Sequence, residues 1–561
     1  LDWLVIGVFF LALIGIIVWV VRQKQNDSAD YFLGGRDATW LAIGASIFAS
    51  NIGSEHLIGL AGAGASSGMA MAHWEIQGWM ILILGWVFVP FYSRSMVYTM
   101  PEFLERRYNP QSRTILSVIS LVSYVLTKVA VTVYAGGLVF QQVFGIKELW
   151  GIDFFWIAAI GLVVLTAIYT IFGGMKSVLY TSVLQTPILL LGSLIILVLG
   201  FKELGGWDEM MRVCGAVTVN DYGDTMTNLI RSNDDANFPW LGALIGSAII
   251  GFWYWCTDQF IVQRVLSGKN EKEARRGTIF GAYLKLLPVF LFLIPGMIAF
   301  ALHQKYIGAG GEGFLPMLAN GTANADAAFP TLVAKLLPAG VKGLVVCGIL
   351  AALMSSLASL FNSSAMLFTI DFYKRFRPET PEKKLVGIGQ VATVVIVILG
   401  ILWIPIMRSV GDVLYTYLQD VQSVLAPGIA AAFLLGVCWK RTSAQGGMWG
   451  LISGMVIGLT RLGAKVYYSN AGEVADSTFK YLFYDMNWLF FCGWMFLFCM
   501  IVVIVVSLTT KAPTAEKIQG LVFGTATKEQ KAATRVSWDH WDIIHTVIIL
   551  SITAAFYWYF W

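Results

Sequence analysis

Apolar runs follow one another along almost the whole chain, and short polar connections separate them. Most runs are as long as the roughly 20 residues that a helix needs to cross the hydrocarbon core of a bilayer. The pattern predicts an all-α polytopic membrane protein with about 14 membrane-spanning helices. Their expected positions are residues 3–21, 40–64, 74–97, 114–142, 152–172, 178–200, 240–262, 277–302, 342–370, 385–407, 413–437, 446–464, 486–508 and 541–561.

The composition agrees with this pattern. Hydrophobic residues make up 57% of the chain and charged residues 13%, and the mean hydropathy is +0.71. These values exclude a soluble globular protein of 561 residues. The 6 cysteines show neither a disulfide nor a metal-ligand spacing. Without a nucleotide-binding glycine loop the sequence gives no support to ATP-driven transport, and nothing points to nucleic acid or to an obligatory protein partner.

The basic residues indicate how the helices are oriented. Most of the 38 Lys and Arg residues fall into every second connection, beginning with the one after the first span. Because positively charged loops stay on the cytoplasmic side, we expect a multi-pass protein of the cell membrane with both termini outside. An even number of spans is consistent with that arrangement.

Polar residues interrupt the second predicted span, residues 40–64. Asn51, Glu55 and His56 stand near its middle, a depth at which polar side chains usually face a protein-lined or water-filled interior. Glycines, among them Gly53, make local unwinding easy there. We expect a discontinuous helix whose freed carbonyl groups line a binding site. The alternative is a continuous helix whose polar side chains are satisfied by its neighbours.

Residues 240–262 repeat this character, with glycines in the first half and Thr257, Asp258 and Gln259 near the end. Five predicted spans begin with each of the two segments, and an odd number per unit gives the units opposite orientations. The pattern predicts an inverted-repeat transporter. The expected divisions are 1–39 (flanking helix and cytoplasmic loop), 40–200 (first five-helix repeat), 201–239 (extracellular loop), 240–438 (second five-helix repeat) and 439–561 (C-terminal flanking helices).

The ninth span offers oxygen atoms for a cation. Ala352 precedes Ser355 and Ser356 by three and four residues, so a helix presents the Ala352 carbonyl and both hydroxyl groups on one face. Carbonyls freed by unwinding near Ala49 and Ile52 complete a set of uncharged oxygen ligands, which suits a sodium ion. The alternative is that the serines allow tight helix packing or bond back to their own helix.

Polar and aromatic residues inside other spans predict a second site, a pocket for a polar solute. Glutamate and lysine within a membrane need partners or a functional reason to be there. The polar candidates are Asn51, His56, Glu75, Lys285 and Gln419. The aromatic candidates, which can cover the flat faces of a ring, are Trp74, Tyr254, Trp255 and Tyr415. This mixture suits a sugar better than a lipid or a bare ion, and the alternative is a structural Glu–Lys pair between two helices.

Several sequence blocks resemble the solute:sodium symporter family and occur in the order typical of it. They include SNIGSEHLIGLAG (50–62), YTMPEFLERRY (98–108), FWYWCTDQFIVQRVLSGKN (252–270), ALMSSLASLFNSSAMLFTIDFY (352–373) and FLLGVCWKR (433–441). The resemblance covers about residues 30 to 440 and is greatest to the sodium/glucose and sodium/myo-inositol branch. It implies the five-plus-five inverted-repeat fold of the amino-acid transporter LeuT.

The resemblance also implies roles for individual residues. The sodium ion, which is co-transported, is expected at the carbonyls of Ala49, Ile52 and Ala352 and the hydroxyls of Ser355 and Ser356. Sugar contacts are expected from Asn51, His56, Glu75, Tyr254, Trp255, Lys285 and Gln419. Tyr254 is the expected inner gate. The expected outer gate consists of Leu60, Trp74 and Tyr415.

Some positions depart from relatives in this branch. Ser182 stands where members that couple two sodium ions carry Asp, and Ala358 stands where they carry Thr, so we expect one sodium ion per cycle. Gly251 and Gln422 also differ, which favours another epimer or a polyol. A cysteine-rich outer loop of animal relatives is missing, which indicates a bacterial source.

The expected function is sodium-coupled import of a hexose, such as glucose or galactose, by alternating access. One alternative is a symporter for myo-inositol or another polar solute, such as an amino acid or sialic acid. Another is a sugar sensor or channel of the same fold that does not concentrate its ligand. An intramembrane enzyme using Glu75 and His56 lacks a nucleophile or a metal set, and we expect no enzymatic activity.

Overall fold

The computed structural model describes residues 1–23, 27–53, 55–318, 321–410, 414–470 and 476–561. Within its helices, the description excludes the side chains of residues 126, 127, 130, 142, 403, 406–410, 414–420 and 469–470. Among the described residues, 10 helices are long and apolar enough to cross a membrane. They are Asp2–Arg22, Gly68–Ser95, Phe154–Leu204, Trp240–Thr257, Glu271–Gly308, Val341–Phe376, Glu382–Leu402, Val421–Cys438, Trp488–Thr509 and His540–Tyr559.

Apart from a few terminal and connecting positions, the described residues of each predicted span lie on a helix or on consecutive helices. The 51-residue helix Phe154–Leu204 holds two predicted spans, because its backbone breaks at Gly174, with φ 52° and ψ −148°. The remaining predicted spans lie on shorter or less apolar helices, which are Trp40–Asn51 with Glu55–Leu60 and Ala61–Ser66, Pro110–Ser123 with Tyr124–Val129 and Ala130–Phe144, and Ala444–Asn470. The expectation of an all-α polytopic membrane protein is confirmed.

Short elements connect these spans. The connecting helices include Ser28–Leu33, Met100–Arg107, Trp207–Gly215, Ala328–Leu336, Ala515–Ile518 and Lys528–Val536. A two-stranded antiparallel sheet pairs Glu148–Leu149 with Ile152–Asp153 just before the longest helix. The division into inverted repeats and the outside position of both termini stay predictions.

The first interrupted helix consists of Trp40–Asn51 followed by Glu55–Leu60 and Ala61–Ser66. Helical geometry ends at Ile52, which has φ −79° and ψ 107°. The last four carbonyl groups of a helix lack partners within it, so the break exposes carbonyl oxygens at mid-length. The expected discontinuity is present.

The second interrupted helix consists of Trp240–Gly251, Phe252–Thr257 and Gln259–Leu266. It breaks at Asp258, where φ is −76° and ψ is 128°. The Asp258 carboxylate then caps the following helix by accepting a hydrogen bond from the backbone N–H of Phe260, at 3.2 Å. A polar residue thus ends one helical piece and begins the next.

Close packing brings Glu271–Lys285 alongside Trp40–Asn51. A side-chain carbon on Gly44 would lie 2.8 Å from the carbonyl oxygen of Gly277, so only glycine permits this approach. As a result Lys285, at the end of Glu271–Lys285, lies beside the break in the first interrupted helix.

Candidate functional site

A cavity with a volume of about 60 Å³ lies beside the break in the first interrupted helix. The cavity touches both interrupted helices. The predicted site residues that line it are Asn51, His56, Trp74, Glu75, Tyr254, Trp255, Lys285 and Ser356.

An ion pair between Glu75 and Lys285 borders this cavity. The Lys285 Nζ atom donates a hydrogen bond to the Glu75 carboxylate at 2.6 Å, and the two residues are only 3% and 2% exposed, respectively. Glu75 ends the short helix Ala72–Glu75, and Lys285 ends the helix Glu271–Lys285. The pairing balances two charges that would be costly to bury alone, and it leaves further hydrogen-bonding positions on both groups for a ligand.

His56 extends this polar row across the break. Its Nε2 atom lies 3.4 Å from the Glu75 carboxylate and 3.3 Å from the Asn51 amide nitrogen. Its Nδ1 atom is buried without a hydrogen-bond partner among the described residues. Asn51 ends the helical piece Trp40–Asn51 and His56 belongs to the following piece Glu55–Leu60, so a ligand bound here would contact both pieces.

Aromatic side chains form another part of the wall. The rings of Tyr254 and Trp255 meet edge to face at 4.9 Å, and the Lys285 Nζ atom lies 5.4 Å from the Trp255 ring. Trp74 stacks on Trp488 with centroids 5.5 Å apart, and its indole N–H has no partner among the described residues. These rings offer apolar faces next to hydrogen-bonding groups.

Not all of the remaining predicted contact and gate residues line the cavity. Leu60 is fully buried, and it is not among the described residues that line the cavity. Tyr415 and Gln419 belong to the helix Leu414–Cys438, but their side chains lie outside the described residues. Gln422, one turn beyond Gln419, does line the cavity.

The predicted sodium ligands lie on two elements. Ala49 and Ile52 stand at the carboxyl end of Trp40–Asn51, where carbonyl groups lack helical partners. Ala352, Ser355 and Ser356 are buried in the helix Val341–Met366. This set of uncharged oxygens fits a hard monovalent cation.

A direct hydrogen bond links these two elements. The hydroxyl groups of Ser50 and Ser359 lie 2.6 Å apart, so the end of Trp40–Asn51 touches the serine-rich helix. The Ser355 hydroxyl lies 3.3 Å from that of Ser182, which also donates to the carbonyl of Val178. Ser182, from which the sequence resemblance leads us to expect a single sodium ion per cycle, thus holds a hydroxyl bonded to its own helix.

The structure gives a physical reason for the small residue at Gly251. A side-chain carbon at this position would collide with the amide of Gln77. Gln77 donates to the Ser247 carbonyl at 2.8 Å and accepts from the Trp255 indole at 3.3 Å. Gly251 therefore makes room for an amide that holds Trp255 in the wall.

The sequence interpretation missed further polar residues of the wall, Glu55, Gln77 and Lys128. From the sequence alone, Lys128 is expected to pack between helices or to snorkel. In the structure it is buried and donates to the Asp258 carboxylate at 2.7 Å, while Tyr124 donates to the other oxygen. The signal that would have found this pair is the rule that opposite charges inside a membrane need each other.

Comparison with known proteins decides the family. The model described as "Sodium:solute symporter family" matches residues 31–454. The human sodium/myo-inositol cotransporter 2 is 36% identical over 538 residues, which cover 93% of this chain and 79% of the relative. The chain belongs to the Sodium:solute symporter family. It is thus a sodium-coupled solute symporter and not an enzyme, as expected from the resemblance.

One further relative and one solved structure are also similar to this symporter. The sodium/myo-inositol cotransporter of Canis lupus familiaris is 36% identical over 547 residues, which cover 93% of this chain and 75% of the relative. A solved structure of a Na⁺-coupled sialic acid symporter covers 91% of this symporter and 98% of its own chain, with a TM-score of 0.72 and 22% identity. The structural match confirms the LeuT-like fold.

Proposed function

We propose that this symporter imports a neutral polyhydroxylated ring together with sodium, with myo-inositol or a related cyclitol as the first candidate. The observation that carries the proposal is the Glu75–Lys285 ion pair at the cavity. The two charges of this pair cancel, and the pair lies next to His56. Relatives described as sodium/myo-inositol cotransporters support the inositol alternative better than the hexose that the sequence puts first. A hexose such as glucose or galactose is the second candidate.

The polar groups at the cavity match what a hydroxyl group offers. A hydroxyl donates one hydrogen bond and accepts others, the Glu75 carboxylate accepts, and the Lys285 ammonium donates. The amide of Asn51 does both, and an imidazole such as that of His56 does both when it carries a single proton. The indole of Trp255 supplies an apolar face for the C–H groups of the ring. A charged solute would upset the balance of the ion pair.

Sodium coupling follows from where the two ligands bind. Sodium at Ser355, Ser356 and the carbonyls of Ala49 and Ile52 joins the piece Trp40–Asn51 of the first interrupted helix to the serine-rich helix. The solute joins the same break to Glu75 and Lys285. Both ligands thus favour the state in which these elements are together, and this shared preference is the coupling free energy. One sodium ion accompanies each solute.

Uptake into proteoliposomes tests the proposal. Labelled myo-inositol should accumulate only under an inward sodium gradient, and unlabelled cyclitols should compete more strongly than glucose or galactose. Stronger uptake of a hexose would favour the second candidate. Binding without accumulation would indicate the sensor or channel, and the absence of sodium-dependent uptake of any of these solutes would contradict the proposal.

A further inference from the structure

Glu55 supplies a second carboxylate at the cavity. It is the first residue of the helical piece Glu55–Leu60, and it lines the same cavity as Glu75. Its side chain is partly exposed, whereas Glu75 is 2% exposed. Glu75 pairs with Lys285, but Glu55 forms no hydrogen bond or ion pair with another side chain in the described part of the chain. Its carboxylate lies against Gly53 and against its own backbone amide.

The surroundings of Glu55 favour a solute with hydroxyl groups. Lys128 and Lys285 line the same cavity. Lys285 pairs with Glu75 and Lys128 pairs with Asp258, so neither ammonium group forms an ion pair with Glu55 among the described residues. A carboxylate in the middle of a membrane protein needs hydrogen-bond donors. The hydroxyl groups of a solute in the cavity are donors of this kind.

The chemistry of a carboxylate distinguishes two classes of ring. An ionised carboxylate accepts hydrogen bonds and donates none. A cyclitol carries a hydroxyl group on every ring carbon, so each direction around the ring offers a donor. A pyranose has a ring oxygen without a hydrogen at one position. A carboxylate that faces this oxygen loses a hydrogen bond, and such a loss is costly in a desolvated site.

Building on the proposed function, we infer that Glu55 is a specificity-determining residue that favours a cyclitol over a pyranose by accepting hydrogen bonds from ring hydroxyls. Glutamine has nearly the same shape, but its amide N–H donates to a ring oxygen. The substitution Glu55→Gln should therefore lower the preference for myo-inositol over glucose by about tenfold or more.

The experiment measures this preference in proteoliposomes. The KM of labelled myo-inositol uptake and the inhibition constant of unlabelled glucose are determined at saturating sodium for the wild type, Glu55→Gln and Glu209→Gln. Glu209 lies in the helix Trp207–Gly215 and pairs with Arg212, away from the cavity, so its variant is the matched control. We expect the ratio of the inhibition constant of glucose to the KM of myo-inositol to fall only in Glu55→Gln. A purely structural role would weaken both solutes alike.

The outcomes separate this inference from the proposed function. A wild type that takes up myo-inositol, combined with an unchanged ratio in Glu55→Gln, overturns the inference alone. A wild type without sodium-dependent myo-inositol uptake contradicts the proposed function. If Glu55→Gln does not fold, Glu55→Asp is measured, because it keeps the charge but withdraws the carboxylate by one methylene. Its ratio should lie below that of the wild type, and an unchanged ratio overturns the inference.

Discussion

Lys285 and Glu75 combine two properties, since they neutralise each other and also border the cavity. Replacing Lys285 by methionine leaves the Glu75 carboxylate buried and unpaired, which costs about 3–5 kcal/mol in comparable pairs. We expect the single variant to lose both thermal stability and at least about 99% of myo-inositol uptake. Thermal unfolding in detergent and initial uptake rates in proteoliposomes measure the two effects separately.

The double variant Lys285→Met with Glu75→Gln separates binding from structure. It removes both charges, so it should regain most of the stability lost in the single variant. It should remain inactive, because the donor and the charged acceptor for the solute are gone. Recovery of uptake along with stability would mean that the pair only holds two helices together.

Ser356 is the predicted sodium ligand that also lines the cavity. Removing its hydroxyl should raise the sodium concentration needed for half-maximal uptake by about tenfold, in line with the loss of one hydrogen-bond-sized interaction with a charge. The KM for myo-inositol at saturating sodium should change little. Ser364→Ala in the same helix is the control, since its buried hydroxyl has no described partner. Equal sodium dependence in both variants would remove Ser356 from the site.

At the scale of helices, both interruptions follow from local sequence. Glycines and polar residues within an apolar run weaken the helix and need an interior to face, so Gly53 and Asp258 mark the breaks. The Glu75–Lys285 pair follows as well, because each charge demands a partner. The sequence does not specify which charges meet, so the pair of Lys128 with Asp258 is missed. These two residues lie on helices that are far apart in the chain, and packing alone decides the pairing.

Lys128 and Asp258 join the helical segment Tyr124–Val129 to the break in the second interrupted helix. Four aromatic rings lie within 5.4 Å of the Lys128 ammonium, so the pair is enclosed. Lys128→Met should destabilise the protein by several kcal/mol. Asp258→Asn keeps a residue that caps helices well and removes only the charge. The two substitutions together should cost less than the sum of their separate effects.

A double-mutant cycle on thermal stability measures this coupling, and we expect an interaction free energy of at least about 1 kcal/mol. The double-mutant cycle for Lys128 and Glu209, which lie on separate elements, serves as the reference and should give no interaction free energy. Additive effects for Lys128 and Asp258 would show that the ion pair does not fix the break.

At the scale of the whole molecule, the proposed sodium and solute sites share the break in the first interrupted helix. Asn51 and His56 flank the break on the side of the cavity, while Ala49 and Ile52 carry the carbonyls predicted to bind sodium. The two sites thus use one unwound segment, and neither ligand can order it without favouring the other. The number of ions that enter this arrangement sets the driving force for transport.

One sodium ion per solute limits how far a neutral solute can be concentrated. One charge moving through about 100 mV releases roughly 2.3 kcal/mol, and a tenfold sodium gradient adds about 1.4 kcal/mol. The sum of about 3.7 kcal/mol corresponds to an accumulation of roughly 500-fold, and two ions would square that figure. The hydroxyl of Ser182 in place of a carboxylate is the reason to expect the lower limit.

Simultaneous recording of charge and labelled myo-inositol uptake measures this stoichiometry in proteoliposomes clamped by a potassium diffusion potential. We expect one elementary charge for each molecule of solute, and a steady accumulation that stays below about 500-fold under the gradients above. A passive leak lowers the accumulation plateau but not the initial ratio of charge to solute, so this ratio determines the stoichiometry. A value near two, or accumulation well beyond the limit, would show that a second cation binds despite the missing carboxylate at Ser182.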